Sequence, residues 1–173
     1  GTKILIIGID GGTWALLDHY LAQGHAPSLR RLIERGVTGE LRSTVPPLTS
    51  AAWTSLQTGK SPGRHGVFGF SLPSVTRGFV NSTSIRGGTI WQYLSGLGHT
   101  VGLVNVPVTY PPYPVNGFMI TCLLTPPGSP HFTWPPELAR ELEGYRIDVR
   151  IESNAYGFLR ADQAVDADKF WTD

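Results

Sequence analysis

The chain has 173 residues and a formal net charge of +1, from 14 Lys and Arg against 13 Asp and Glu. With no basic excess or basic run, neither a charge-built nucleic-acid face nor a basic membrane-binding surface is expected. Apolar residues make up 40%, which excludes a disordered chain, and no apolar run approaches the roughly 18 residues of a membrane-spanning helix. One domain of this length buries roughly 68–70% of its unfolded surface and needs no disulfide. Cys122 is the lone cysteine, so neither an intrachain disulfide nor a Cys-rich zinc site is expected.

The 21 Gly and 14 Pro imply many sharp loops between short elements. Charged residues are 16% of the chain, below the usual value of about 25%. That fits a surface partly covered by more chain or by a partner, and apolar surface left exposed by a missing part makes self-association an open expectation. Residues 4–9 are too short an apolar stretch for a signal peptide, and a cytoplasmic location is expected.

In chain order, residues 3–9 (KILIIGI) read as a buried parallel strand ending at Asp10-Gly11-Gly12. Residues 13–22 and 27–35 read as helices, the second with Pro27 in its first turn and Gly36 at its stop. Residues 37–43 are a weak strand, and Pro46-Pro47 hold the next segment extended. A helix follows over 50–58, ended by Gly59. A strand near 67–72, a helix over 89–97, a buried strand over 99–106 and a short strand over 117–122 come next. A helix over 136–143, a strand over 145–151 and a helix beginning at 165–171 complete the pattern. Alternating strands and helices predict an α/β domain over residues 1–173, a mostly parallel sheet flanked by helices.

In such sheets ligands bind beyond the carboxyl ends of the strands, where Asp10 is expected. Its carboxylate before two glycines suits close approach of a metal or ligand, and it equally suits a helix N-cap. The G-x-G-x-x-G spacing of a dinucleotide loop is absent there. Thr49, just before the 50–58 helix, would meet oriented N–H groups and the positive end of a helix dipole, a setting for an alkoxide and a phosphate. Capping by Thr49 or Ser50 is the alternative. The five histidines show no HxH or HExxH spacing, and His65 reads as a turn or packing residue. Trp53, Trp91 and Trp134 read as core or cleft-lining, and Asp166 and Asp168 as a solvated helix start. No Ser-His-Asp arrangement is visible in the spacing.

Three segments carry a resemblance when taken in order: Ile6-Ile7-Gly8-Ile9-Asp10-Gly11, Pro46-Pro47-Leu48-Thr49, and Thr58-Gly59-Lys60-Ser61-Pro62-Gly63-Arg64-His65-Gly66. Together they resemble the alkaline phosphatase superfamily, within it the type I phosphodiesterase/nucleotide pyrophosphatase-like proteins and a prokaryotic group of phosphohydrolases or phosphomutases. Trp91-Gln92-Tyr93-Leu94 and Val104-Asn105-Val106-Pro107-Val108-Thr109-Tyr110-Pro111-Pro112 add to it, over residues 3 to about 143.

The resemblance implies part of an alkaline-phosphatase-like core and a two-metal phosphoryl-transfer site, with zinc or manganese and a small phosphate ester or nucleotide as substrate. Asp10 would ligate one metal, and Thr49 would be both ligand and nucleophile, passing through a phospho-enzyme. The nucleotide pyrophosphatases place an Asn three residues after the nucleophile, where this chain has Ala52. Asn105 is a candidate substitute for that phosphate contact, and Ser50 a second substrate-binding candidate. The family's remaining ligands are an Asp and His pair, an Asp-His dipeptide and a final His, all well downstream of the nucleophile. The lone Asp-His pair here, Asp18-His19, precedes Thr49 and does not take that role. The expectation is therefore the N-terminal portion of a longer catalytic domain, holding one metal or none by itself. A phosphate- or anion-binding module of the same fold that does not cleave is the alternative.

Overall fold

The computed structural model describes residues 1–72 and 78–147. Five α-helices lie in chain order: α1 (Trp14–Ala22), α2 (Pro27–Arg35), α3 (Thr49–Thr58), α4 (Pro62–His65) and α5 (Ile90–Gly96). They precede three short strands, β1 (Val101–Val104), β2 (Gly117–Ile120) and β3 (Thr133–Trp134). Two 3₁₀ segments, Ser82–Ser84 and Pro136–Leu142, join this framework.

Local chemistry accounts for several boundaries. Thr13 caps α1 by accepting from Leu16 N–H at 3.3 Å. Thr89 and Gln92 form a reciprocal capping box at the start of α5, with Thr89 N–H donating to Gln92 Oε1 at 2.9 Å. Pro27 and Pro62 open α2 and α4, where a missing N–H leaves no helical bond unmade.

The strand order is β1-β2-β3, with β1 and β2 parallel and β2 and β3 antiparallel. The sheet is thus mixed, correcting the mostly parallel sheet expected from sequence. Parallel pairing needs a long crossover, usually helical. The chain from Thr121 to Phe132 has none; it turns back through Pro126 and Gly128, and Thr121 N–H already bonds Phe132 C=O at 2.8 Å. One core cluster, Leu103, Val115 and Met119, packs against Trp91, Tyr113 and Trp134. The other, Val67, Val80 and Val108, takes in Leu72, Ile85 and Leu124.

The largest departure is at the start of the chain. Residues 3–9 form no strand, and Ile4 and Leu5 are each 83% exposed. Their apolar run reads as a buried strand only if a neighbour supplies the hydrogen-bond ladder, and none does among the described residues. Residues 37–43 likewise pair with nothing as a strand; the Gly39 carbonyl instead accepts the Trp14 indole N–H at 3.1 Å. The expected strand near 67–72 shrinks to one bridge, Ser71 to Phe79. The strand expected over 99–106 is real at β1 but one-sided, with Leu103 buried and Val104 exposed. The helix expected over 136–143 is a 3₁₀ segment, its Leu138 N–H bonding Pro135 C=O at 3.2 Å. Residues 148–151 of the strand expected at 145–151, the 165–171 helix, and Asp166 and Asp168 lie outside the described residues. No helix among the described residues is long and apolar enough to cross a membrane.

Candidate active site

The site begins at α3. Leu48 is its N-cap in extended backbone, with no side-chain cap, so Thr49 is the first helical residue. The N–H groups of its first turn therefore have no capping side chain, and Ala52 N–H is the one closed back onto Leu48 C=O, at 2.8 Å. Neither Thr49 nor Ser50 caps the helix, which removes that reading for both.

The Thr49 hydroxyl instead donates to Asp10 Oδ2 at 2.9 Å, across 39 residues of sequence. The other carboxylate oxygen, Asp10 Oδ1, accepts the Trp53 indole N–H at 3.1 Å. Asp10 caps no helix either, since that task in α1 falls to Thr13. The carboxylate is held at both oxygens by two donors one turn apart on the same helix face. Gly8 completes the contact: a Cβ there would overlap the six-membered ring of Trp53. Only a residue without a side chain lets the strand-like segment before Asp10 lie against the indole.

Trp53 was read as core or cleft-lining, and its polar role was missed. The signal was its position four residues after Thr49, which places both on one side of a helix. Ser50 is fully buried, and its hydroxyl has no hydrogen-bond partner among the described residues. Asn105 follows β1 with a left-handed backbone (φ 54°). Its N–H extends the strand ladder to Ile120 C=O at 3.0 Å, and no hydrogen bond links its side chain to Asp10 or Thr49.

His65 is fully buried in α4. Its Nδ1 accepts the Val67 N–H at 3.1 Å, and its Nε2 lies 2.9 Å from Ser55 Oγ. Burial lowers its pKa from the ordinary 6.5, a hydrogen bond to the Ala51 backbone works against the shift, and the nearby Lys60 charge adds to it. The ring is thus neutral with its proton on Nε2, donating to Ser55. A base must accept from its nucleophile, so Ser55 and His65 are not a Ser-His pair; the histidine packs, as its sequence context suggested.

The family model of type I phosphodiesterase / nucleotide pyrophosphatase matches residues 4–171. The chain belongs to this family. No curated protein and no solved structure matches it. Membership connects the chain with phosphoric ester hydrolysis in general, and the family is typically metal-dependent. In this phosphodiesterase-family chain, Asp10 and Thr49 present oxygen donors 2.9 Å apart, hard ligands suited to one edge of a divalent cation's shell. No group of three or more His, Cys, Asp or Glu side chains gathers among the described residues. The pair fits part of one metal's shell, and the described residues do not build the rest.

Proposed function

We propose that this chain carries the nucleophile half of a metal-dependent phosphodiesterase or phosphohydrolase acting on small phosphate esters or nucleotides. The observation that carries the reading is the hydrogen bond from Thr49 to Asp10, which joins the two candidates the sequence placed far apart. A hydroxyl that donates to a carboxylate turns its lone pairs away from that carboxylate, toward an incoming phosphorus. Thr49 Oγ1 attacks, the Oγ–P bond forms, and the bond from phosphorus to the ester oxygen breaks. The Thr49 proton passes to Asp10, and the leaving group departs with the ester oxygen's electron pair. Water then displaces Thr49 from the phospho-enzyme. Trp53 keeps Asp10 in register throughout by its bond to Oδ1. The uncapped N–H groups of α3 supply donors for the phosphate oxygens. A bound zinc or manganese would lower the pKa of the Thr49 hydroxyl and balance charge on the phosphoryl group.

The test is hydrolysis of bis-p-nitrophenyl phosphate with zinc or manganese added. Thr49→Ala and Asp10→Ala are expected to remove nearly all turnover, and retention of activity in either overturns the reading. The second reading, an anion-binding module that does not cleave, draws on the absence of a three-ligand group among the described residues. It predicts phosphate binding with no turnover and no metal uptake, whereas two metals per chain would exclude it.

A further inference from the structure

We propose that two copies of this chain pair by exchanging residues 3–9 as a strand along the open edge of β1. The sheet order β1-β2-β3 leaves one side of β1 without a strand partner among the described residues. Val101 N–H and Asn105 N–H both bond toward β2, to Asn116 C=O at 2.8 Å and Ile120 C=O at 3.0 Å. Backbone groups alternate in direction along a strand, so those of Gly102 and Val104 face the open side. Val104 is 53% exposed, and with Phe118 it leaves apolar surface on the sheet face opposite Leu103 and Met119. An open apolar edge of this kind is a template for another strand.

The other half of the ladder lies in the same chain. Ile4, Leu5, Ile6, Ile7 and Ile9 are all exposed, and β-branched isoleucine suits a strand. The two helices that follow bury one residue between them, Leu21. Asp10 is pinned to Thr49 and Trp53, and the Gly8 backbone lies against the Trp53 ring. The run therefore leaves from the start of α3, and in its own chain it meets no ladder. A second copy carries the same run and the same edge. Reciprocal pairing closes a twofold dimer and covers both edges. A run that is apolar on both faces suits parallel pairing, which sets Ile9 beside Val104 of the second copy and Asp10 beside its Asn105. Each Asp10–Thr49 pair thus gains a side-chain amide that its own chain does not bring to it.

The test is sedimentation velocity of the full chain over a concentration series, beside oxidative cross-linking of an equal mixture of Ile9→Cys and Val104→Cys. Cys122 is buried and stays out of that reaction. A reversible dimer is expected, with a disulfide joining the two variants, identified by mass spectrometry. Ile6→Lys combined with Ile7→Lys should weaken the dimer at least tenfold. Those side chains are 63% and 72% exposed, so the circular dichroism of the monomer should not change. A chain that stays monomeric overturns the proposal, and so does a dimer indifferent to the two lysines or one that yields no disulfide between the variants. An intrachain disulfide in the doubly substituted Ile9→Cys, Val104→Cys chain overturns it too, by assigning the run to its own β1 edge. None of these readouts is turnover, so the hydrolase reading stands or falls separately.

Discussion

Trp53 and Asp10 are joined by an indole N–H to carboxylate hydrogen bond of 3.1 Å, which makes an aromatic residue of α3 the second anchor of the candidate nucleophile's partner. Hydrogen bonds to charged groups are worth about 1.5–3 kcal/mol when buried, and less where water competes. Asp10 is exposed, so the lower end applies. Trp53→Phe keeps the ring and deletes the donor. Its kcat on bis-p-nitrophenyl phosphate should fall about tenfold, roughly 1.4 kcal/mol, with KM and the circular dichroism spectrum little changed. A kcat within twofold of wild type would show that Trp53 only packs.

Gly8→Ala tests the same junction from the other side. The new methyl would overlap the Trp53 ring, and such overpacking costs typically 1–3 kcal/mol. The expected result is a shift in tryptophan emission together with a loss of activity larger than the loss of stability. Normal emission and activity would mean that the segment before Asp10 relaxes without moving the carboxylate.

Thr54 lies fully buried on α3, and its hydroxyl is without a partner among the described residues. An unmet buried hydroxyl is destabilising, and an isosteric apolar group removes that penalty. Thr54→Val should raise stability by about 1 kcal/mol, or a melting temperature about 3 °C higher. A lower melting temperature would reveal that the hydroxyl is satisfied by bound water.

His65 sets a pH dependence whose sign follows from its lowered pKa. Burial makes the folded state bind this proton less readily than the unfolded state, whose histidine stays near 6.5. Between the two pKa values the unfolded chain holds more protons, so stability rises with pH in that window. The contribution is fully present above about 6.5 and declines as the pH falls toward the lower, folded value. Urea unfolding at pH 7.5 and pH 5 should show this loss, and His65→Gln should flatten that part of the profile. An equal slope in the variant would place the acid sensitivity elsewhere.

Much of the helical framework was legible in local signals. Pro27 and Gly59 are start and stop signals whose chemistry acts within one helical turn, and α2 begins and α3 ends where they point. Asp10 and Thr49 were legible as candidates from the glycines and prolines around them. Trp53 was not, because an indole N–H becomes a site residue only when a distant carboxylate reaches it.

The amino-acid sequence by itself determined the family and the approximate extents of α1, α2, α3 and α5, and it offered Asp10 and Thr49 as candidates, since each rests on order within short segments of the chain. Tertiary structure alone decided that Thr49 donates to Asp10 across 39 residues, that β3 runs back against β2, and that residues 3–9 stay exposed. Strand pairing and carboxylate contacts depend on which distant groups arrive to complete them. An apolar run carries the propensity for a strand, and only a neighbour's hydrogen bonds make it one.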